Sequence, residues 1–222
     1  MQPEQYVEMA DPAELAARLR HVYWIGGGSG AGKSTIARRL ADRYGWRLYA
    51  TDDMMPDHAR RTTPENAPFL HRFITMDMDE RWVNRPPEVM LETFHWFRGE
   101  GFELIVEDLL DMPREPCVIV EGFRLLPHLV KPLLAAPEQA VWLLPTPDFR
   151  QAAFRSRAEP GEGFVWKTSD PAKADRNIAE RDHMFTMRLQ EETERLELRT
   201  IQVDTTMTED DLSAQVTRAF GL

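Results

Sequence analysis

The sequence predicts an α/β fold of three layers, a five-stranded parallel sheet between two sets of helices, and three observations predict it. Five short apolar or β-branched runs, at 22–25, 46–51, 118–120, 141–144 and 200–203, alternate with stretches of helical periodicity, the order that builds a parallel sheet covered on both faces. A glycine-rich turn joins the first run to the first helix. Acidic residues follow the second and third runs, Asp52 and Asp53 after one and Glu121 after the other, at the strand ends where open α/β sheets gather their ligands. With 222 residues, 42% of them hydrophobic, the chain can bury one substantial core, and a single domain over 1–222 is expected.

The glycine-rich turn carries the sharpest signal. Gly27 to Ser34 reads Gly-Gly-Ser-Gly-Ala-Gly-Lys-Ser and fits the phosphate-loop pattern G-x4-G-K-S/T at every fixed position. An aromatic, β-branched run enters it, and Ile36, Ala37, Leu40, Ala41 and Tyr44 leave it on one helical face that Gly45 closes. Glycines permit positive φ and bring backbone N–H groups against phosphate oxygens, while the helix start adds partial positive charge. Gly27, Gly28, Ser29, Gly30, Ala31, Gly32, Lys33, Ser34 and Thr35 are the candidate nucleotide-binding residues, Lys33 reaching the β- and γ-phosphates and the Ser34 hydroxyl sitting on Mg²⁺. Thr35 stands one place too late for the metal. The pattern predicts binding of a nucleoside triphosphate, taken as ATP with Mg²⁺, and is silent about its fate.

The other segments follow in order. Asp11 and Pro12 open a short helix expected to pack on the sheet edge. At the end of the second run, Asp52 is the candidate to accept a proton from an attacking hydroxyl, or to hold Mg²⁺ through water, and Asp53 is either a substrate contact or a helix cap. Pro56, Pro64, Pro68, Pro86 and Pro87 break residues 54–100 into short helices, and Arg60, Arg61, Arg72, Arg81 and Arg85 stand among carboxylates and aromatics. This stretch suits a substrate-binding insert, with Arg81 a candidate to clamp a phosphate or carboxylate on the acceptor. Residues 94–97 with Met90 and Leu91 form a buried helical face, and Phe102, Ile105, Val106, Leu109 and Leu110 another. Run 118–120 is apolar throughout, as a strand covered on both faces should be. Glu121 at its end is the second candidate for the Mg²⁺ shell.

The phosphate loop, the acidic end of the second strand and Val120-Glu121-Gly122-Phe123-Arg124 together resemble the nucleoside-monophosphate-kinase-like group of small-molecule kinases. Adenylate kinases carry Asp-Gly-Phe-Pro-Arg at this loop, and the resemblance implies that Arg124 contacts substrate phosphate. This chain has Glu for Asp and lacks the proline. Its Asp after the second strand is similar to the base of chloramphenicol-phosphotransferase-like and other hydroxyl kinases. The resemblance implies a P-loop NTPase fold with a lid, here 148–182, whose arginines close over the phosphates. Arg155 and Arg157 are the lid candidates, Arg150 would stack on the base, and the turn after the last strand, with Asp204, would touch the adenine. A helix of ~26 residues capped by Asp170, about 39 Å long, and a closing helix from Thr208 complete the chain.

Composition excludes several classes. A net charge of −10 lacks the basic face that displaces counterions from nucleic acid. No apolar run approaches the ~20 residues of a membrane span, and the amino terminus lacks a basic-then-apolar signal, so no membrane partner and a cytoplasmic location are expected. Cys117 is the only cysteine, and the six histidines lack metal-ligand spacing. Asn-Lys-x-Asp, the base reader of GTPases, is absent, as is the Leu-Ser-Gly-Gly of transporter ATPases. The expected function is transfer of the γ-phosphoryl of ATP to the hydroxyl or phosphate of a small-molecule acceptor. Lys33, Arg155 and Arg157 would stabilise charge and Asp52 would act on the acceptor. The alternative is a regulatory protein that binds ATP through the same loop without transfer; two acidic positions, Asp52 and Glu121, favour the enzyme.

Overall fold

The computed structural model describes residues 11–155 and 163–222, apart from the Arg155 side chain. Helix α1 (Pro12–Arg18) begins at Asp11, whose Oδ1 accepts the Ala13 N–H at 3.0 Å. Leu15 and the following Leu19 bury in the same core as Val22 and Trp24 of β1 (Val22–Gly27) and Leu133.

All five predicted strands form, and all pair in parallel: β1, β2 (Arg47–Ala50), β3 (Val118–Glu121), β4 (Ala140–Pro145) and β5 (Thr200–Val203), in the order β2-β3-β1-β4-β5. The chain steps out from β1 to β2, returns to β3, then crosses to β4 on the other side. β1 is therefore the strand at which the order reverses, and a crevice opens at its carboxyl end. The register brings the ends of β2 and β3 level, Glu121 pairing with Ala50 on one side and, on the other, with Ile25, just before the end of β1.

Alternation along each strand makes two cores. On one face Val22, Trp24, Val118, Val120, Trp142 and Leu144 pack with Ile105, Val106 and Leu109 of α7 (Phe102–Asp111) and Phe185 and Leu189 of α10 (Pro171–Arg195). On the other, Ile25, Ile119, Val141, Leu143, Ile201 and Val203 pack with Ile36, Ala37, Leu40 and Ala41 of α2 (Lys33–Tyr44) and Leu212, Val216 and Phe220 of α11 (Glu209–Ala219) and its end. Burying both faces is what near-continuous apolar strands require.

Between β2 and β3 lie α3 (Thr51–Arg61), α4 (Pro68–Thr75), α5 (Met78–Trp82), α6 (Pro87–Thr93) and a 3₁₀ turn (His95–Arg98). One proline fails to break its helix: α3 runs through Pro56, at the cost of one backbone hydrogen bond to the preceding turn. Helix α8 (Pro127–Val130) follows β3, α9 (Pro147–Arg155) follows β4, and α10, capped by Asp170, is the longest described helix at 25 residues. No helix among the described residues is long and apolar enough to cross a membrane.

Candidate functional site

The glycine loop leaves β1 at the order reversal and ends in the first turn of α2. Gly27 has no room for a side chain: an added Cβ would stand 2.1 Å from the Leu143 carbonyl oxygen of β4, and its φ is 132°. Gly30 and Gly32 take φ of 77° and 82°, Gly32 being the N-cap of α2. Lys33 is buried and its Nζ donates to the Gly28 carbonyl at 2.8 Å, so its ammonium lies back across the loop. Ala31 packs its methyl into the core, and Ser34 is exposed at the mouth.

Three carboxylates face this loop from the ends of β2 and β3. Glu121, only 3% exposed, stands near enough to the Ser34 side chain for that hydroxyl to act on its charge. Burial raises its pKa, with Asp52 and Asp53 adding to the rise, against Lys33 and Ser34, which lower it. Asp52 and Asp53 both lie in the first turn of α3, whose N-cap is Ala50, so neither is the cap; carboxylates there meet the positive end of the helix. Both are open to solvent at the crevice. The walls around Asp52 still dehydrate it enough to raise its pKa, while the charges of Lys33 and Arg124 pull the other way. Gly122 lets these ends meet: at φ 152° its backbone touches Thr51, whose Oγ1 would lie 1.8 Å from an added Cβ.

Beside the loop a cleft of about 420 Å³ is lined by Gly30, Gly32 and Thr35, by Phe149 and Ala152 of α9, and by Met207 and Glu209 after β5. Pockets that hold a small molecule begin at about 300 Å³. Helix α9 lies on Gly30 through Phe154 and Arg150, and α10 lies on Gly28 through the Thr186 hydroxyl. The two helices are joined by Asp182, which accepts from Arg150 Nη2 at 2.9 Å and from Arg181 Nη2 at 2.6 Å.

The predicted residues thus separate into two groups. Gly27 to Thr35, Asp52, Asp53 and Glu121 converge on one crevice. Arg81 and Arg124 are drawn elsewhere, while Arg150, against Gly30, and Asp204, beside the cleft, are engaged by protein groups. Arg81 donates to the carbonyls of Phe73 and Ile74 and covers the Phe73 ring, which ties off the end of α4. Arg124, 2% exposed, is held inside the protein by Thr51, His58, Gly101 and Trp96. Arg150 covers the Phe154 ring as well as pairing with Asp182. Asp204 accepts from the Thr206 N–H and hydroxyl, closing its own turn, and the cleft is lined instead by Met207 and Glu209. Arg157 and the Arg155 side chain lie outside the described residues. Sequence reasoning missed Asp182 and Thr186, whose signal is a polar pair at i, i+4 on the buried stripe of a long helix, and Met207 and Ala152, which carry no local signal.

Among the described residues no three His, Cys, Asp or Glu side chains gather to hold a metal ion by themselves. Mg²⁺ makes no such demand, since it keeps several waters and takes one or two protein oxygens beside those of phosphates. Ser34 and Glu121, neighbours at the head of α2, fit that need.

No family model matches the chain, and no curated protein matches it. Among solved structures it is similar to an uncharacterized protein from Eubacterium ventriosum ATCC 27560, at 15% identity and a TM-score of 0.47, over 90% of this chain and 97% of that one.

Proposed function

We propose that this chain is a kinase with a P-loop NTPase fold that transfers the γ-phosphoryl of ATP to a hydroxyl of a small acceptor. The observation that carries this reading is the meeting of Lys33 and Ser34, at the head of α2, with Glu121 and Asp52 from the neighbouring strand ends. A loop that only bound nucleotide would have no need of a solvent-open carboxylate beside a buried lysine.

In this reading the triphosphate lies along the loop amides and the start of α2, where N–H groups and the helix end favour anions. The base occupies the cleft between Phe149, Ala152 and Met207. Ser34 and Glu121 would hold Mg²⁺, which would supply charge neutralisation on the triphosphate. Lys33 leaves the Gly28 carbonyl, or bridges from it, to the γ-phosphate. Asp52 accepts the proton of the acceptor hydroxyl as its oxygen bonds to the γ-phosphorus, the bond from that phosphorus to the β–γ bridging oxygen breaks, and ADP departs with the electron pair. The acceptor is an uncharged alcohol rather than a phosphate ester: Arg81 and Arg124, the arginines placed to read an acceptor anion, are engaged by protein groups, and Asp52 and Asp53 repel one.

The test is ADP release from Mg-ATP by the purified protein against nucleosides, sugars, amino alcohols, nucleoside monophosphates and sugar phosphates, with Lys33→Ala as blank. Stimulation by a neutral alcohol that disappears in the blank and in Asp52→Asn is expected. ATP binding that survives Asp52→Asn, with no turnover to lose in the unaltered protein, supports the regulatory reading instead.

A further inference from the structure

Behind the acidic pair lies a buried polar chain that the reaction above does not use. Asp108 of α7 accepts three hydrogen bonds: from the Tyr49 hydroxyl at 2.6 Å, from His58 Nε2 at 2.8 Å and from Arg61 Nη1 at 2.7 Å. His58 is fully buried, and its other nitrogen, Nδ1, lies 2.9 Å from Arg124 Nη1. A guanidinium can only donate, so Nδ1 accepts and the imidazole carries its hydrogen on Nε2, toward Asp108. Arg124 then donates from Nη2 to the Gly101 carbonyl at 3.0 Å and reaches from Nη1 to the Thr51 carbonyl at 3.4 Å, with its Cζ 4.0 Å from the centre of the Trp96 ring.

The chain joins β2, α3, α7 and the loop after β3, and it ends on the peptide that links Thr51 to Asp52. We infer that Arg124 is a positioning residue, oriented by the Asp108–His58 pair, which fixes the first turn of α3 and so the Asp52 carboxylate relative to the glycine loop. What Asp52 does there rests on the kinase reading; the hydrogen-bond chain does not. A planar fork serving a ring nitrogen and two carbonyls is a task a lysine cannot take over. A buried charge needs its full set of partners to be held in place.

The experiment compares Asp108→Asn and Arg124→Lys with the unaltered protein and with Lys33→Ala. ADP release from Mg-ATP, with the best acceptor of the panel or with water, gives turnover, and calorimetry gives ATP affinity. Nitrogen-15 NMR of the histidines gives the His58 tautomer. Asp108→Asn is the milder change, since an amide of the same shape keeps part of the network. Both variants are expected to lose about 100-fold in kcat, the scale of a displacement near 1 Å, with ATP affinity held. The double variant loses little more than either alone, because the residues act as a unit. His58 carries its hydrogen on Nε2 in the unaltered protein.

A hydrogen on Nδ1 in the unaltered protein overturns the inference, as does turnover per folded molecule that survives Asp108→Asn. A rise in acceptor KM with constant kcat in Arg124→Lys alone makes Arg124 a substrate ligand and overturns it too. ATP binding that ignores Lys33→Ala fails the kinase reading alone, and the His58 tautomer then decides the inference by itself.

Discussion

Gly122→Ala is a severe and specific test of the site, because the structure shows both what the methyl would meet and how to relieve it. The residue sits at φ 152°, where L side chains are strained, and the new Cβ would fall 1.8 Å from Thr51 Oγ1, 3.0 Å from Thr51 Cβ and 3.3 Å from Thr51 Cγ2. The backbone strain costs about 1–3 kcal/mol. Overpacking against Thr51 costs about 1–3 kcal/mol more. A loss near the middle, ~4 kcal/mol, lowers Tm by roughly 8–16 °C in a domain of this size. The strand end that carries Glu121 must also move away from the turn that carries Asp52, so turnover falls further than the folded fraction does. Thr51→Ala removes the hydroxyl and Cγ2 but leaves Cβ, so the double variant should recover the overlap part and retain the φ part, a coupling of about 1–3 kcal/mol in urea unfolding. A single variant within about 1 kcal/mol of the unaltered protein, the ordinary range for a point change, would refute the claim that this contact holds the two acidic ends together.

Three further outcomes follow from the same geometry. Glu121 has a folded pKa raised by burial, so its charge costs stability as pH rises from its unfolded value of about 4.3; Glu121→Gln should melt higher than the unaltered protein at neutral pH without nucleotide, and bind Mg-ATP more weakly. For Asp108, burial alone would raise the pKa, but hydrogen bonds from His58, Tyr49 and Arg61 outweigh it and hold the carboxyl well below the usual range. Its stabilisation is therefore complete above about pH 4 and fades as pH falls toward the lower folded value, and urea titrations of Asp108→Asn should show a smaller loss of stability below about pH 4 than the unaltered protein does. Ala152 is exposed on the wall of the cleft; Ala152→Trp should leave Tm unchanged and weaken ATP binding at least about 10-fold, equivalent to ~1.4 kcal/mol, which calorimetry reads directly.

The parts of this molecule that were legible in the sequence are those whose cause is local. Each strand announced itself by its own apolar run, Gly45 closed α2 in the left-handed conformation at φ 65°, and Asp170 and Thr208 capped the helices they precede. The crevice was legible too, since parallel pairing forces strand ends together and Glu121 needed only its register beside Ile25 and Ala50. The arginines were not legible. Arg124 is fixed by His58, 66 positions away, and Arg150 by Asp182, 32 positions away; an arginine looks the same in sequence whether it meets a ligand or a distant carboxylate. Asp204 was obscured by the opposite cause: its partner, Thr206, is two residues on, and a turn that closes on its own side chain takes up one of the two oxygens that side chain could offer a ligand.

The fate of these arginines also bears on which acceptor a site of this kind can take. The stretch between β2 and β3 looks built for an anion when its charges are counted along the chain. In the structure Arg60 pairs with Asp57, Arg61 with Asp57, Glu107 and Asp108, and Arg81 and Arg85 with backbone carbonyls of their own and the preceding helices. Each of these bonds would have to break before a phosphate ester gained one of these four guanidiniums, leaving exposed Arg72 as the arginine of the stretch most open to one, and the carbonyls released by Arg81 and Arg85 would be left to find water. An uncharged alcohol asks for none of that. It needs a carboxylate to accept its proton, and Asp52 stands open at the crevice, with its charge steadied from the loop side by Lys33 and from behind by Arg124. The charges that neutralise the transferred group need then come only from the loop side and from the helices that cover Gly28 and Gly30, which places the burden of phosphate recognition on one wall of the crevice and that of acceptor recognition on the other.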